Sequence, residues 1–245
     1  MDASFLFFLI AGAVAAGFVN GLAGFGTALF GLGFWLQILP PEQAVAVTLA
    51  VSVATGIQGL WVVRGSIDRA RLLRFLLPAL PGVPLGVAAL SIVDASVLKL
   101  GIAAFLLLYG GFFLVNRNLP TISDRTPKID MTIGFLGGFL GGAAGLSGAL
   151  PTMWCALKDW SKAAKRGLFQ PFNLTILSLS ALALAFLGAY TAETMLYLAV
   201  AIPVSIVSAQ IGIWIFKRIS DPAFRVLLIA LLFLSGLIIA GRELL

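Results

Sequence analysis

Uncharged stretches of 16 to 39 residues alternate with short charged connectors along this 245-residue chain. They run over 3–41, 43–63, 75–93, 100–116, 131–157, 167–192, 194–216 and 226–241. Since about 20 apolar residues cross a bilayer as a helix, the pattern predicts eight to ten membrane segments. The fold class expected is an all-α integral membrane protein. Two stretches break the simple rule. Residues 3–41 would extend about 58 Å as one helix, nearly twice the hydrocarbon thickness, so the chain has to turn back within them. A glycine cluster marks the place, Gly17, Gly21, Gly24 and Gly26 in GFVNGLAGFG, and the stretch 131–157 carries its counterpart in GFLGGAAGLSG.

A shift of 121 residues superposes the two clusters. Gly17, Phe18, Gly21, Ala23, Gly24, Ala28 and Leu29 fall on Gly138, Phe139, Gly142, Ala144, Gly145, Ala149 and Leu150, an internal repeat. Each cluster reads as a broken or re-entrant hairpin: a helix, a Gly-rich tip, then a half-helix at about 27–38 or 148–157. The first repeat is expected over 1–116, with hairpin 4–38 and spans 42–63, 72–93 and 95–115. A cytoplasmic linker, 117–130, leads to a second repeat over 131–245, with hairpin 131–157 and spans 161–189, 194–216 and 223–241. Three spans after each hairpin bring the halves into the membrane from opposite faces, giving six full spans in an inverted repeat. In that architecture solutes bind near the midplane, where interrupted helices meet.

Charge sets the orientation. The net charge is +6, and 14 of the 16 Lys and Arg residues lie in four connectors: Arg64 to Arg74, Arg117 to Asp130, Lys158 to Arg166 and Lys217 to Arg225. Cytoplasmic loops retain basic residues, so these four share the inner side and both termini are expected outside. The basic balance is a membrane signature and implies no nucleic acid. With 60% hydrophobic and 11% charged residues the chain has no room for a soluble catalytic domain. It has no histidine and one cysteine, Cys155, which leaves no His/Cys metal site and no disulfide framework. No cofactor and no enzyme activity are expected, since no nucleophile with a base lies inside a span.

The helix after each hairpin carries a polar face. Thr48, Ser52 and Thr55, followed by Gln58, take the spacing i, i+4, i+7. A shift of 118 places Arg166, Gln170 and Asn173 on the same positions. Hydroxyls at such places often bond their own helix. Carboxamides are costlier to bury without partners and point to a polar cavity. Pro171, between Gln170 and Asn173, frees a carbonyl. No Asp or Glu lies well inside any span, so nothing there cages a cation. Glycine tips that open half-helices present backbone N–H groups and positive dipole ends, which suit a small anion. The candidate site is therefore Asn20, Gly24, Phe25, Gly26 and Thr27 at one tip and Gly145, Leu146, Ser147 and Gly148 at the other. Arg166, Gln170 and Asn173 join them, Arg166 as the positive contact or as an inner-side anchor, with Lys162 and Lys165 as alternatives. Trp35, Trp61, Trp154, Trp160 and Trp214 read as interfacial anchors, with Trp35 and Trp154 as possible gates on the half-helices.

The two hairpins, GFVNGLAGFGTALFGLGF and GFLGGFLGGAAGLSGALPTM, each followed by a polar-faced helix and a proline-bearing span (Pro81, Pro84; Pro203), resemble the sulfite exporter TauE/SafE family, also called toluene sulfonate uptake permeases. The resemblance implies a bacterial inner-membrane carrier that moves sulfite, an organosulfonate or a related small anion. Where the family often has a tighter run of glycines, the tips here read Gly24-Phe25-Gly26-Thr27 and Gly145-Leu146-Ser147-Gly148. The reading that follows is a secondary transporter that exports its anion by alternating access. An ion-coupled importer, a channel-like pore and a non-transporting membrane scaffold are the alternatives.

Overall fold

A computed structural model describes residues 2–89, 100–101, 103–104, 106–108, 110–111, 122, 126–144 and 146–244. Its named helices are α1 (Ala3–Ala23), α2 (Thr27–Trp35), α3 (Pro41–Val63), α4 (Arg69–Ala89), α5 (Pro127–Ala144), α6 (Ala149–Ala156), α7 (Lys162–Phe186), α8 (Ala192–Arg218) and α9 (Asp221–Leu244), with a 3-10 turn at Arg64–Ser66. The described positions between 100 and 111 are helical as well. The rest of the span expected over 95–115 and most of the linker expected over 117–130 lie outside the described residues.

Local chemistry sets several of the helix ends. The Asp2 carboxylate accepts the Phe5 N–H at 2.7 Å and caps α1. Pro41 opens α3 where its missing N–H costs nothing, with Glu42 in the first turn. Asp68 caps α4 by accepting the Arg71 N–H at 3.0 Å, and that backbone bond holds its carboxyl below the usual carboxylate range. Lys217 and Arg218 complement the negative end of α8. Among the described residues five helices are long and apolar enough to cross a membrane: Ala3–Ala23, Glu42–Ser66, Lys162–Phe186, Ala192–Arg218 and Asp221–Gly241. Inside hydrocarbon a helix satisfies its own backbone, which is why so apolar a chain folds almost entirely this way. α4 begins at Arg69, three residues before the span expected from 72, and carries Pro78, Pro81 and Pro84. The helix of the second hairpin starts at Pro127 rather than at 131, and the half-helices are shorter than their expected ranges.

Contacts gather the chain into two compact units. One contains Met1–Gly65 and Gln170–Arg218, the other Ser66–Phe169 and Ile219–Leu245. Each unit therefore draws elements from both halves of the sequence. In the first, Gly17 and Gly21 of α1 lie against the backbone at Ser205 and Ala209 of α8. In the second, Gly138 and Gly142 of α5 lie against the backbone at Ala79 and Val83 of α4. Glycine at four-residue spacing lets two helix backbones touch where lipid supplies no hydrophobic drive for packing. The glycines of the two seams are 121 residues apart, and their partners, Ala79 with Ser205 and Val83 with Ala209, are 126 apart. In both seams the receiving helix carries proline, Pro203 in α8 and three in α4.

Candidate functional site at the helix breaks

Between α1 and α2 the helical ladder stops for three residues. Gly24 has φ +84° and Gly26 φ +95°, left-handed values that glycine adopts without a Cβ clash. The Gly24 N–H bonds the Asn20 carbonyl at 2.7 Å and closes α1, and Phe25 is buried between the two glycines. Gly26 then caps α2, whose first regular bond runs from the Phe30 N–H to the Gly26 carbonyl at 3.1 Å. From here α2 runs back along α1. A Cβ on Gly26 would press on Val19, one on Gly31 on Ala16, and the indole of Trp35 sits over Gly12. The nine residues of α2 rise about 13 Å, less than half a bilayer core.

Polar side chains converge on this break. Asn20, on the last turn of α1, donates both amide hydrogens, one to Thr27 Oγ1 at 2.9 Å and one to Thr55 Oγ1 at 2.8 Å. Three elements are tied in one buried knot: the end of α1, the start of α2 and the middle of α3. Thr55 passes its own proton to the Val51 carbonyl at 2.7 Å. Thr27 is an acceptor in the knot, and its hydroxyl proton is left to donate. From α7, Asn173 donates to the Gly24 carbonyl at 3.4 Å and Gln170 to the Gly56 carbonyl at 3.2 Å. The Gln170 carboxamide lies in the space that a side chain on Gly59 would fill. Asn20, Gly24, Phe25, Gly26, Thr27, Gln170 and Asn173, proposed from sequence, thus share one unit around one break.

The α3 stripe divides. Thr48 donates to the Ala44 carbonyl and Ser52 to the Thr48 carbonyl, each at 2.7 Å. These two hydroxyls are committed to their own helix, whereas Thr55 reaches another element. Gln58, half-buried one turn beyond Thr55, keeps its Oε1 out of solvent with no hydrogen-bond partner among the described residues. Thr48→Val is accordingly expected to leave any transport within about twofold of wild type, since a hydroxyl bonded to its own helix adds little there. Thr55→Val should lower it at least tenfold. Initial flux rates at equal reconstituted protein test the pair.

The second break belongs to the other unit. Gly145 lies outside the described residues. Leu146, Ser147 and Gly148 are buried and turn tightly, with the Leu146 N–H on the Leu140 carbonyl at 3.2 Å and the Ala149 N–H on the Leu146 carbonyl at 3.3 Å. Gly148 precedes α6 in an ordinary right-handed conformation, unlike Gly26. Arg166, on α7, is fully buried within this unit, as is Thr152 of α6, whose Oγ1 has no hydrogen-bond partner among the described residues.

Two buried charged groups escape a sequence reading. Asp130 and Lys158 sit in basic connectors, where they look solvated, yet they are 2% and 0% exposed. Asp130 has one signal in the sequence, its place 121 residues after the equally buried Leu9, and Lys158 has none. Trp35 and Trp160 are buried as well, which departs from the interfacial role expected of them, while Trp61 and Trp214 are exposed.

Long apolar helices, a helix broken at buried polar groups, and no group of three metal-ligating side chains among the described residues define a multi-pass membrane protein built around a buried polar break. The sequence matches the model of the sulfite exporter TauE/SafE family over residues 9–239, and the chain belongs to that family, one of transporters rather than enzymes. No curated protein matches it.

Proposed function

We propose that this protein is a secondary transporter of the bacterial inner membrane that exports sulfite or a related small sulfur anion, such as an organosulfonate. The observation that carries this reading is the Asn20 knot at the α1–α2 break. It brings the Thr27 hydroxyl, whose proton is not used in the knot, and the N-terminus of α2 to one buried place and puts no carboxylate among them, a combination suited to a small anion. Gln170 and Asn173 extend the donor set. Leu146, Ser147, Gly148 and Arg166 are the proposed anion-facing groups of the second unit.

The hairpins are read as re-entrant from opposite leaflets, with six full spans, two inverted repeats and both termini outside. The matched glycine seams of the two units support the repeat, and the basic connectors support the orientation. Export is favoured physically. With the inside negative, an anion leaves downhill by about 2.3 kcal/mol per charge per 100 mV, so no coupling ion is required. Alternating access of the repeats about their breaks would complete the cycle.

Proteoliposome flux across sulfite, sulfate, thiosulfate, small sulfonates and carboxylates tests this. Saturable flux of a sulfur anion, accelerated by an inside-negative potential, is expected. Asn20→Ala should reduce it at least tenfold, because both the start of α2 and Thr55 lose their donor. A strict need for a sodium or proton gradient would favour an ion-coupled importer, and unitary currents a channel. An absence of flux for every anion would leave a scaffold.

A further inference from the structure

The open end of each hairpin is closed by an indole. In the first, Trp35 Nε1 of α2 donates to the Leu9 carbonyl of α1 at 3.2 Å. In the second, Trp154 Nε1 of α6 donates to Asp130 Oδ1 of α5 at 2.7 Å. The acceptors are 121 residues apart, the register of the glycine tips, and the donors 119 apart. An indole N–H therefore spans both hairpins, with acceptors in the register of the tips and donors two positions out of it.

The two versions differ in the acceptor and in the burial of the ring. The Trp35 ring fits fully buried against α1 because Gly12 has no side chain, and a Cβ there would stand 2.6 Å from Nε1. The position 121 residues on is Ile133 rather than a glycine. Trp154 is only half-buried, and a carboxylate side chain reaches out to meet it in place of a main-chain carbonyl. Further contacts brace this second closure. Thr126 Oγ1 donates to Asp130 Oδ1 at 3.2 Å and accepts from Lys158 Nζ at 2.6 Å, and that ammonium stands 4.6 Å from the centre of the Trp154 ring. The Ile122 N–H bonds the Leu157 carbonyl at 3.0 Å, drawing together the same two ends of the hairpin.

We propose that Trp35 and Trp154 are positioning residues for transport, each holding the start of its half-helix, and so the break, in the geometry that receives the anion. The proposal rests on the reading that the breaks bind substrate. Its physical basis is length. Helices of nine and eight residues are too short to keep their shape or direction unaided. One end of each hangs from a break, and in the first hairpin that break consists of two left-handed glycines, so the half-helix is aimed from its far end. A bond to a charged acceptor is shorter and stronger than one to a main-chain carbonyl, in keeping with the shorter distance in the second hairpin.

The test uses the full-length transporter in proteoliposomes. Trp35→Phe and Trp154→Phe keep the ring and lose the N–H. Each is expected to raise the KM for sulfite at least fivefold while the melting temperature of folded protein changes little. Asp130→Asn still presents an acceptor oxygen and should stay within about twofold of wild type, whereas Asp130→Ala, which also frees Thr126, should lose at least as much as Trp154→Phe. The double variant Trp154→Phe with Asp130→Ala should be no worse than Asp130→Ala alone, since that change already breaks the bond to the indole. Hydrogen exchange at amides 28–30, read without any substrate, should quicken at least tenfold in Trp35→Phe. Unchanged KM in both indole variants, additive losses in the double variant, or unaltered exchange in Trp35→Phe would each overturn the proposal. Asn20→Ala assayed in parallel separates the two ideas. If its KM is also unchanged, the binding reading fails and exchange alone judges the clasp. If only the indole variants are silent, the clasp alone fails.

Discussion

Gly24→Leu is expected to insert, fold and carry no measurable flux. At φ +84° any side chain other than glycine is strained, by about 1–3 kcal/mol for a non-glycine residue held in the left-handed region. A protein stable by about 5–15 kcal/mol survives that. The break does not, because Gly24 is bonded from both sides. Its N–H closes α1 on Asn20, and its carbonyl accepts from Asn173. Relaxing φ to a comfortable value rotates both groups, and Asn20 is the residue that holds Thr27 and Thr55. Strain and function separate cleanly in a control. Gly188 has φ +81° with nothing within 4 Å of its missing side chain, so Gly188→Ala carries comparable strain with no tie to the break. Flux measured at equal folded protein should fall at least a hundredfold in Gly24→Leu and stay near wild type in Gly188→Ala. Equal flux in the two would mean that the break has no role.

The largest loss of stability should come from the glycine seams. In Gly21→Ile and Gly138→Ile the new Cβ meets a main-chain carbonyl, of Ala209 in one unit and Ala79 in the other. A crowded side chain can change rotamer, but a helix backbone cannot, so the two helices must part along their length. Overpacking in a core costs about 1–3 kcal/mol where neighbours can adjust. Here they cannot, and a loss above about 4 kcal/mol is expected, enough to remove most folded protein. Size-exclusion profiles and thermal melts in detergent check it. Gly65→Ala and Gly101→Ala, where nothing stands within 4 Å, should melt as wild type. A wild-type melting temperature for Gly138→Ile would show that the α4–α5 seam does not hold the second unit together.

Much of this architecture is legible along the chain because its causes are local. An uncharged run of membrane length becomes a helix whatever surrounds it, since hydrocarbon leaves the backbone no other partner. Gly24 and Gly26 announce a break because positive φ is a property of single residues. The four-residue spacing of Gly17 and Gly21 announces a close-packed face. Family membership was readable for the same reason, in hairpins whose motifs are continuous in sequence.

What those faces meet was not readable. The spacing of Thr48, Ser52 and Thr55 is uniform, yet the first two hydroxyls turn to their own helix and only Thr55 finds Asn20, 35 positions away. Asp130 and Lys158 look like solvated connector charges until α6 folds back and brings Trp154 to one and beneath the other. A 121-residue shift superposes the two glycine clusters, but the compact units do not follow the two halves of the sequence. Each joins a hairpin helix from one half to a proline-bearing helix from the other. Segment type and break position follow from what each stretch of chain can do alone in lipid. Partnership between stretches depends on which small-residue faces fit together, and that becomes definite when helices distant in sequence are packed side by side.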